Sequence, residues 1–354
     1  MQHVKRVLVF QTAFIGDLVL TLPLVQAIAR RIPQALVDVV AIPSAANILE
    51  NHPAVCQAIV YDKRGAEAGL RGIRSISRRL RKQRYDIALV PHRSMRSALI
   101  PKLAGVPVRV GFTKSAGRLL FTHTVKYQQA IHEIERNLSL LTALKIIPPD
   151  RELPRVYPGP RDQQVVDELI KKDANPSGST SPDIVALAPG SIWNTKRWPK
   201  EYFVELVKLL VAAGTLVVLV GGTDDTVLCE EIRASAGQSH ITNAAGKLTL
   251  LQSAELIRRA RILVSNDSAP MHLAVAVRTP VVAIFGATVP EFGFAPLGVH
   301  DQVMGTAGLN CRPCSIHGGN ACPITTFDCM RRIVPTMVFE RVNGLLQLSS
   351  HTAG

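Results

Sequence analysis

The stretch that decides the fold is VKRVLVFQTAFIGDLVLTLPLVQAI, residues 4–28. An apolar run typical of a buried strand leads through a short loop into an apolar segment typical of a helix. Gly16 and Asp17 lie at this turn. An acid at a helix start is commonly a cap that complements the helix dipole. The alternative is a general base, because apolar neighbours such as Phe14 and Leu18 would raise the pKa of a carboxylate at the end of a strand.

The alternation of strand-like and helix-like segments continues through the first half and restarts at DIVALAPG, residues 183–190. Residues 148–183, between the two halves, are rich in Pro, Gly and Ser, which is typical of a domain boundary. The sequence therefore predicts an α/β protein of two Rossmann-like domains that face a cleft. The predicted divisions are an N-terminal domain at 1–160, a linker region at 161–183, a C-terminal domain at 184–335, and a C-terminal helix and tail at 336–354.

The net charge of +14 is unevenly distributed along the 354 residues. Residues 1–160 contain 24 Lys and Arg against 10 Asp and Glu, whereas residues 161–354 contain 17 of each kind. The densest run is RGIRSISRRLRKQR, residues 71–84. Such asymmetry favours an anionic partner for the first half, namely nucleic acid, an anionic membrane surface or a phosphorylated substrate, although a basic run can also be a solvated helix face.

The hydropathy of the sequence indicates the cellular location that we expect. No run approaches the roughly 18 apolar residues that a transmembrane helix needs. The first residues read as a strand rather than as a signal peptide with a cleavage site. We therefore expect a cytoplasmic protein.

The second half contains three candidate ligand-binding loops, each after a strand-like run. In APGSIWNTKRWPKEYF, residues 188–203, small hydroxyl residues and a lysine are suited to a diphosphate, although a basic surface loop would look the same. It is neither a Walker A loop nor a dinucleotide-binding glycine motif. VSNDSAPMHLAVAVRTPVVAIFG, residues 264–286, suggests a helix start that binds an anion, or a capped helix with a buried histidine. Gly221 and Gly222 precede Asp224 and Asp225, acids that could accept ribose hydroxyls.

Four cysteines occur close together near the C-terminus with the spacing C-x2-C-x7-C-x6-C, namely Cys311, Cys314, Cys322 and Cys329. Four thiolates can hold zinc or an iron–sulfur cluster, so a structural metal is one interpretation. Free or redox-active thiols are the other, and disulfides are disfavoured in a reducing compartment. Cys56 and Cys229 are isolated, and we expect both in the core.

Taken together, these stretches resemble glycosyltransferase family 9, the bacterial lipopolysaccharide heptosyltransferases, along nearly the whole chain. The resemblance rests on FIGDLVLTLP at 14–23, HEIERNL at 132–138, PGS and KRWP within 189–199, GGTDD at 221–225, and SNDSAPMHLA at 265–274. The cysteine segment and HEIERNL are most similar to the heptosyltransferase II branch. The resemblance implies a GT-B fold, an ADP-activated heptose donor, an inner-core lipopolysaccharide acceptor and inverting transfer with no cofactor required for catalysis.

The resemblance also assigns roles by position. It implies that Asp17 is the catalytic base and that Lys196 acts on the departing diphosphate. The residues that it places at the donor are Gly16, Ser191, Lys196, Asp225, Leu248, Asp267, Ser268, Ala269 and His272, with Asp224 as an alternative to Asp225 and Lys247 beside Leu248. The acceptor would be a phosphorylated lipid A–Kdo–heptose at the inner leaflet of the inner membrane, and we expect Arg93, Arg96 and Lys102, with the run 71–84, to contact it or anionic lipid.

Two rival interpretations remain at this point. The chain could be heptosyltransferase I or another family 9 enzyme with a different acceptor position or donor sugar. It could also be a non-enzymatic nucleotide- or nucleic-acid-binding protein. Aromatic residues are only 5%, and no zinc-finger spacing, helix-turn-helix or RNP motif is present, so we expect no nucleic-acid partner. Nothing in the sequence indicates an oligomeric state.

Overall fold

The computed structural model describes residues 3–150, 152–173, 182–237 and 239–351. The chain divides into two compact units, Met1–Tyr157 and Pro158–Gly354. Each unit contains its own six-stranded sheet, in which every neighbouring pair of strands is parallel.

The elements of the first unit alternate between strands and helices in chain order. They are β1 (Arg6–Phe10), α1 (Ile15–Val19), α2 (Leu22–Arg31), β2 (Leu36–Ala41), α3 (Pro43–Ala46), β3 (Gln57–Val60), α4 (Gly69–Gln83), β4 (Ile87–Leu89), α5 (Met95–Leu103), β5 (Val108–Phe112), β6 (His123–Val125) and α6 (Glu133–Ser139).

The elements of the second unit follow the same alternation. They are α7 (Pro160–Asp173), β7 (Ile184–Ala188), α8 (Lys200–Ala212), β8 (Leu216–Leu219), α9 (Thr226–Ala236), β9 (Ile241–Asn243), α10 (Leu250–Arg259), β10 (Ile262–Asn266), α11 (Ala269–Val277), β11 (Val281–Phe285), β12 (Gln302–Gly305), α12 (Asp328–Arg331) and α13 (Pro335–His351).

The two sheets have the same topology. The first has the order β3-β2-β1-β4-β5-β6, and the second, counted from its β9 edge, has the order β9-β8-β7-β10-β11-β12. Both are the doubly wound order 3-2-1-4-5-6, so the predicted α/β fold with two Rossmann-like domains of the GT-B class is confirmed. In this topology, ligands bind at the carboxyl ends of the strands where the order reverses, which is between β1 and β4 in one unit and between β7 and β10 in the other.

The opening stretch forms the first strand and two helices rather than one helix. α1 ends at Val19 and α2 begins at Leu22, with Pro23 in its first turn. Proline lacks an N–H and fits a helix start better than a helix interior, so the chain restarts there. The five-residue α1 thereby holds Gly16 and Asp17 just after β1.

The core of the second unit includes α13, the last helix of the described residues. α8 contributes Phe203 and Leu206 to the core cluster, α13 contributes Val338 and Val342, and the buried indole of Trp198 donates to the carbonyl of Ile333 at 2.8 Å. Burial of such side chains removes apolar surface from water, which fixes the loop before α8 against the sheet. Within the described ranges, no helix combines the length and apolar character that crossing a bilayer requires.

Candidate active site

In the first unit, the loops after β1 and β4 meet where the strand order reverses. The hydroxyl of Thr12 lies 3.2 Å from Nδ1 of His92, and the same nitrogen lies 2.8 Å from the hydroxyl of Ser97. Burial, together with the charges of Lys63 and Arg93, lowers the pKa of His92 to about 4. The imidazole is therefore neutral at pH 7. His92 could not be identified from the sequence alone, since its position after β4 is its only local signal.

Asp17 lies half-buried in the first turn of α1. Its Oδ2 accepts a hydrogen bond from the backbone N–H of Phe14 at 3.2 Å, and its carbonyl accepts one from the hydroxyl of Thr21 at 2.7 Å. The carboxylate therefore caps the helix start, as one interpretation of the sequence predicts. A carboxylate has about four acceptor positions, so this bond is compatible with a second role as a base. Gly16, which directly precedes it, is also half-buried.

Lys63 is a cation at the same edge whose charge interacts with that of Asp17. The ammonium of Lys63 donates to the carbonyl of Thr12, and burial lowers its pKa while the charge of Asp17 opposes that change. Arg96 donates to the carbonyl of Lys63 at 3.1 Å, so this predicted acceptor residue belongs to the same edge of the sheet. Lys102 lies at the opposite edge of the sheet. It is in the last turn of α5, which runs from the carboxyl end of β4 to the amino end of β5.

The HEIERNL motif forms α6 and supports this edge. Asn137 is fully buried, and its side-chain amide donates to the carbonyl of Leu20 at the end of α1 at 3.1 Å. Glu133 pairs with Arg136 at 2.9 Å, with both side chains almost inaccessible. Burial raises the pKa of Glu133 to about 7, against the charge of Arg136 and with a further contribution from the negative charge of Asp17.

In the second unit, the predicted phosphate-binding lysine forms an ion pair that joins the loops after β7 and β10, where the strand order reverses. Nζ of Lys196, after β7, lies 2.6 Å from Oδ2 of Asp267, after β10, and both side chains are largely buried. The hydroxyl of Thr288 donates to the same oxygen at 2.7 Å. An ion pair of low exposure holds a cation in place at the carboxyl edge, which is the charge that a leaving diphosphate requires.

Asn266 fixes the two loops that carry this pair. Its side-chain amide donates to the carbonyl of Pro189 at 2.8 Å, and its Oδ1 accepts from the backbone N–H of Trp198 at 3.1 Å. The carbonyl of Ser191 accepts from Nε of Arg197 at 2.7 Å, which closes the loop on itself. Asn266 belongs to the SND motif, but its role could not be predicted from the sequence because its partners are distant in sequence.

The α11 segment has features of both interpretations of its sequence. Ser268 is the N-cap residue and Ala269 the first helical residue, so their backbone amides lie at a helix start after β10. His272 is 5% exposed and belongs to the buried side of the helix. A helix start can attract an anion, whereas a histidine this deep also serves packing.

Of the two candidate ribose acids, Asp225 is the one enclosed at the sheet edge. Its Oδ2 accepts from the backbone N–H of Gly222 at 2.9 Å, and a Cβ at Gly190 would lie 2.1 Å from its Oδ1. Glycine at 190 is therefore required by the carboxylate. Burial raises the pKa of Asp225, while its bond to Gly222 and the nearby charge of Arg197 oppose that change.

The remaining predicted donor residues lie in neighbouring loops. Asp224 is exposed. Lys247, after β9, donates to the carbonyl of Asn243 at 2.7 Å, and Leu248 beside it is half-buried. Because β7, β8, β9 and β10 are neighbours in one parallel sheet, their following loops share one edge.

The cysteine segment packs on the lysine loop. The backbone N–H of Gly319 donates to the hydroxyl of Thr195 at 2.7 Å, and the N–H of Thr195 donates to the carbonyl of Gly319 at 3.0 Å. Burial raises the pKa of Cys314, and the charges of Cys311 and Cys322 add to it. Within the described parts of the chain, no group of three or more His, Cys, Asp or Glu has the geometry to hold a metal ion. Every cysteine is free; Cys229 is buried as predicted, but Cys56 is exposed, so its prediction as a core residue is wrong.

Two doubly wound domains in one chain are the architecture of the GT-B class. The model of "Glycosyltransferase family 9 (heptosyltransferase)" matches residues 73–320. The chain therefore belongs to glycosyltransferase family 9 and is an enzyme.

Similar proteins agree with this membership. The chain is 30% identical over 293 residues to lipopolysaccharide heptosyltransferase 2 of Escherichia coli K12, covering 81% of this chain and 84% of that protein. It is 29% identical over 322 residues to lipopolysaccharide heptosyltransferase 1 of Pseudomonas aeruginosa, covering 87% and 86%. The solved structure of E. coli ADP-heptose lps heptosyltransferase II superposes with a TM-score of 0.79 at 28% identity, covering 98% of this chain and 99% of that one.

Proposed function

We propose that the protein transfers heptose from ADP-L-glycero-D-manno-heptose to heptose-Kdo2-lipid A, with inversion at the anomeric carbon. The proposal rests on similarity to heptosyltransferase 2 and on one feature of the sites. The first unit presents the half-buried carboxylate of Asp17 at its carboxyl edge, and the second presents the paired cation Lys196. A direct displacement needs one group of each kind.

In the proposed reaction, Asp17 takes the proton of the acceptor hydroxyl as its oxygen bonds to the anomeric carbon. The bond from that carbon to the diphosphate oxygen breaks on the opposite face, which inverts the configuration. ADP departs with the bonding electron pair, and Lys196 stabilises the negative charge on its phosphate. The reaction needs no cofactor, because a lysine and helix-start amides supply the positive charge.

The donor would be held by the second unit and the acceptor by the first. Asp225 would accept the ribose hydroxyls, and the backbone beside Leu248 would contact adenine. Ser191 and the 267–269 turn would donate to the phosphates, with His272 behind the turn. On this proposal, residues 1–160 form the acceptor domain, 184–335 the nucleotide-sugar domain, and 336–354 a terminal helix and tail.

The deciding experiment measures transfer from ADP-heptose to purified heptose-Kdo2-lipid A by the wild type and Asp17→Asn. We expect product from the wild type and a loss of about two or more orders of magnitude in the variant, with ADP binding retained. Glu135→Gln, which neutralises an exposed acid of α6, is the matched control and should retain activity. Full activity of Asp17→Asn would reduce Asp17 to a helix cap.

A second candidate acceptor follows from the similarity to heptosyltransferase 1. That enzyme class would use the heptose-free Kdo2-lipid A. Transfer onto this acceptor, with none onto the heptose-bearing one, would assign the protein to the first addition. No transfer onto either acceptor would redirect the search to other donor sugars.

The basic face of α4 supports a cytoplasmic enzyme at the inner membrane surface. Arg71, Arg74, Arg78 and Arg81 are exposed at spacings of three and four, so they share a helix face, and α4 contains no acid. Leu70, in the first turn, is 73% exposed. A cationic face with an apolar residue fits an anionic bilayer.

Sedimentation with vesicles tests this surface. The wild type should bind phosphatidylglycerol-containing vesicles and not phosphatidylcholine alone, and Arg74→Glu with Arg78→Glu should abolish binding. Lys208→Glu with Arg341→Glu, a charge-matched change at exposed positions of the second unit, should not. Equal binding by both double variants would remove α4 from the proposal.

A structural metal at Cys311, Cys314, Cys322 and Cys329 stays a separate proposal that rests on their spacing alone, because the structure gathers no three of them in metal-binding geometry. Metal analysis of the purified protein tests it. Stoichiometric zinc or iron that is lost in Cys314→Ser and kept in Cys56→Ser would support it. Metal-free wild-type protein of full stability would leave the four residues as thiols.

A further inference from the structure

Three loops of the first unit meet at the carboxyl edge of the sheet and are tied to one another. The backbone N–H of Ala116, after β5, donates to the carbonyl of Arg93, after β4, at 3.0 Å. The backbone N–H of Tyr127, after β6, donates to the hydroxyl of Thr113 at 3.3 Å. Side chains on these loops therefore have defined relative positions.

The ring of Tyr127 is held from two sides. Its hydroxyl accepts from Nη1 of Arg136 at 2.6 Å, and its ring packs edge-on against Phe112 with centroids 5.4 Å apart. Arg136 is itself buried, and it also pairs with Glu133 and donates to the carbonyl of Ile131 at 3.0 Å. Arg136 is thus a positioning residue that fixes the ring.

Two exposed cations lie over this fixed ring. The guanidinium carbon of Arg93 is 4.3 Å from the ring centroid, and Nζ of Lys114 is 6.0 Å from it. Both residues are exposed, and among the described residues no carboxylate lies within salt-bridge distance of either. Cation–π contact holds the two like charges near one ring without neutralising them. Convergent cations without a direct salt bridge are suited to an oxyanion.

The position relative to Asp17 indicates which part of the acceptor would carry the oxyanion. β1, β4 and β5 are consecutive in the sheet, and strands are about 4.8 Å apart, so the β5 loop lies about 10 Å from the β1 loop that leads to Asp17. The charges of Asp17 and Arg93 both influence the pKa of Glu133, in opposite directions. On the proposed transfer, an anion bound here would lie beyond the sugar that carries the attacking hydroxyl.

We propose that Arg93 and Lys114, held on the ring of Tyr127, bind an oxyanion on the acceptor sugar next to the one that is extended. A carboxylate and a phosphate share the required chemistry. The site deepens the proposed transfer and rests on it. It also gives HEIERNL two structural tasks, because Arg136 fixes Tyr127 and Asn137 fixes the end of α1.

Steady-state kinetics on the heptose-Kdo2-lipid A acceptor tests the site. Arg93→Ala and Lys114→Ala should each raise the acceptor KM about 10-fold, the loss of one charge-assisted contact, with the donor KM unchanged. Tyr127→Leu should raise it similarly, whereas Tyr127→Phe, which keeps the ring, should stay closer to the wild type. Lys126→Ala is the matched control, since Lys126 is an exposed neighbouring cation that stacks on no ring among the described residues.

Modified acceptors distinguish the two sources of the oxyanion. If a Kdo carboxylate binds, reducing the carboxyl groups should raise the wild-type KM and abolish the effect of Arg93→Ala, whereas removing the lipid A phosphates should not. The reverse result assigns a phosphate. Unchanged acceptor KM in Arg93→Ala and Lys114→Ala, or an equal effect on every acceptor and in Lys126→Ala, overturns the proposal.

Equilibrium binding separates this proposal from the proposed transfer. Acceptor binding, measured calorimetrically with wild type and variants, requires no turnover. Weakened binding in Arg93→Ala without transfer by the wild type would support the site and refute the donor assignment. Transfer by the wild type with unweakened acceptor binding in both alanine variants would support the proposed transfer and refute the oxyanion site.

Discussion

The pair formed by Lys196 and Asp267 makes a prediction that can be quantified from the structure. The two groups are 2.6 Å apart, with side chains 14% and 8% exposed. Lys196→Met leaves a buried carboxylate that still accepts from the hydroxyl of Thr288 but has lost its counter-ion, and Asp267→Asn leaves a buried ammonium beside a neutral amide. Breaking one side of a buried pair costs about 3–5 kcal/mol, so each single variant should lose about 3 kcal/mol of stability.

The double variant supplies the test. Lys196→Met with Asp267→Asn removes both charges, so its loss should be smaller than the sum of the single losses by about 1 kcal/mol or more. Thermal denaturation of the four proteins, at one pH and ionic strength, measures this coupling. The control cycle uses Lys200 and Glu231, an exposed pair of the same unit at 2.9 Å, which should be close to additive.

The same variants separate the structural role of the pair from donor binding. Lys196→Met should weaken ADP binding about 10- to 100-fold, the cost of one charge-assisted contact of about 1.5–3 kcal/mol. Asp267→Asn frees the lysine from its partner and should bind ADP at least as tightly as the wild type. Additive stabilities in the buried cycle, or unchanged ADP affinity in Lys196→Met, would refute the reasoning.

Two further predictions concern a glycine and a pH dependence. Gly190→Ala would bring a Cβ to 2.1 Å from Oδ1 of Asp225 and should weaken ADP binding at least about 10-fold as that carboxylate is displaced; Gly222→Ala, whose Cβ would be 3.9 Å from the same side chain, is the calorimetric control. Because the pKa of Glu133 rises from 4.5 to about 7 on folding, the folded state holds its proton longer, so stability should fall by about 3 kcal/mol as pH rises from 4.5 through 7. The free energy of unfolding, measured at several pH values, should decrease less in Glu133→Gln than in the wild type and equally in Glu135→Gln. An equal dependence on pH in all three proteins would contradict this prediction.

The fold was accessible from the sequence because its signals are local. The run before Phe10 and the run before Pro189 are buried strands with the hydrophobic patterns of a parallel sheet, and the doubly wound order follows the alternation of strands and helices. The helix break near Thr21 was missed, since a proline close to a helix start and a proline inside a helix look alike until the start is known.

The site was only partly accessible, because its contacts join residues that are distant in sequence. Asp17 and Lys196 follow strands and stand out locally, but nothing local indicates that Lys196 would pair with Asp267. His92 and Tyr127 were missed for the same reason: a histidine or a tyrosine after a strand acquires a role only from neighbouring loops. Such partners are set by sheet order, which brings distant segments to one edge.

The two units share a topology but differ in the charge of the contact that joins the loops after their first and fourth strands. In each unit a hydrogen bond or ion pair joins the loops after the first and fourth strands of the doubly wound order, Thr12 with His92 in one and Lys196 with Asp267 in the other. In the first unit the bridge is neutral, since burial keeps His92 uncharged, and the nearby Asp17 is the group proposed to receive a proton. In the second unit the bridge is ionic, and its lysine is the group proposed to interact with the diphosphate. If this division holds, neutralising Lys196 should impair ADP binding and leave acceptor binding intact, whereas Arg93→Ala should do the reverse.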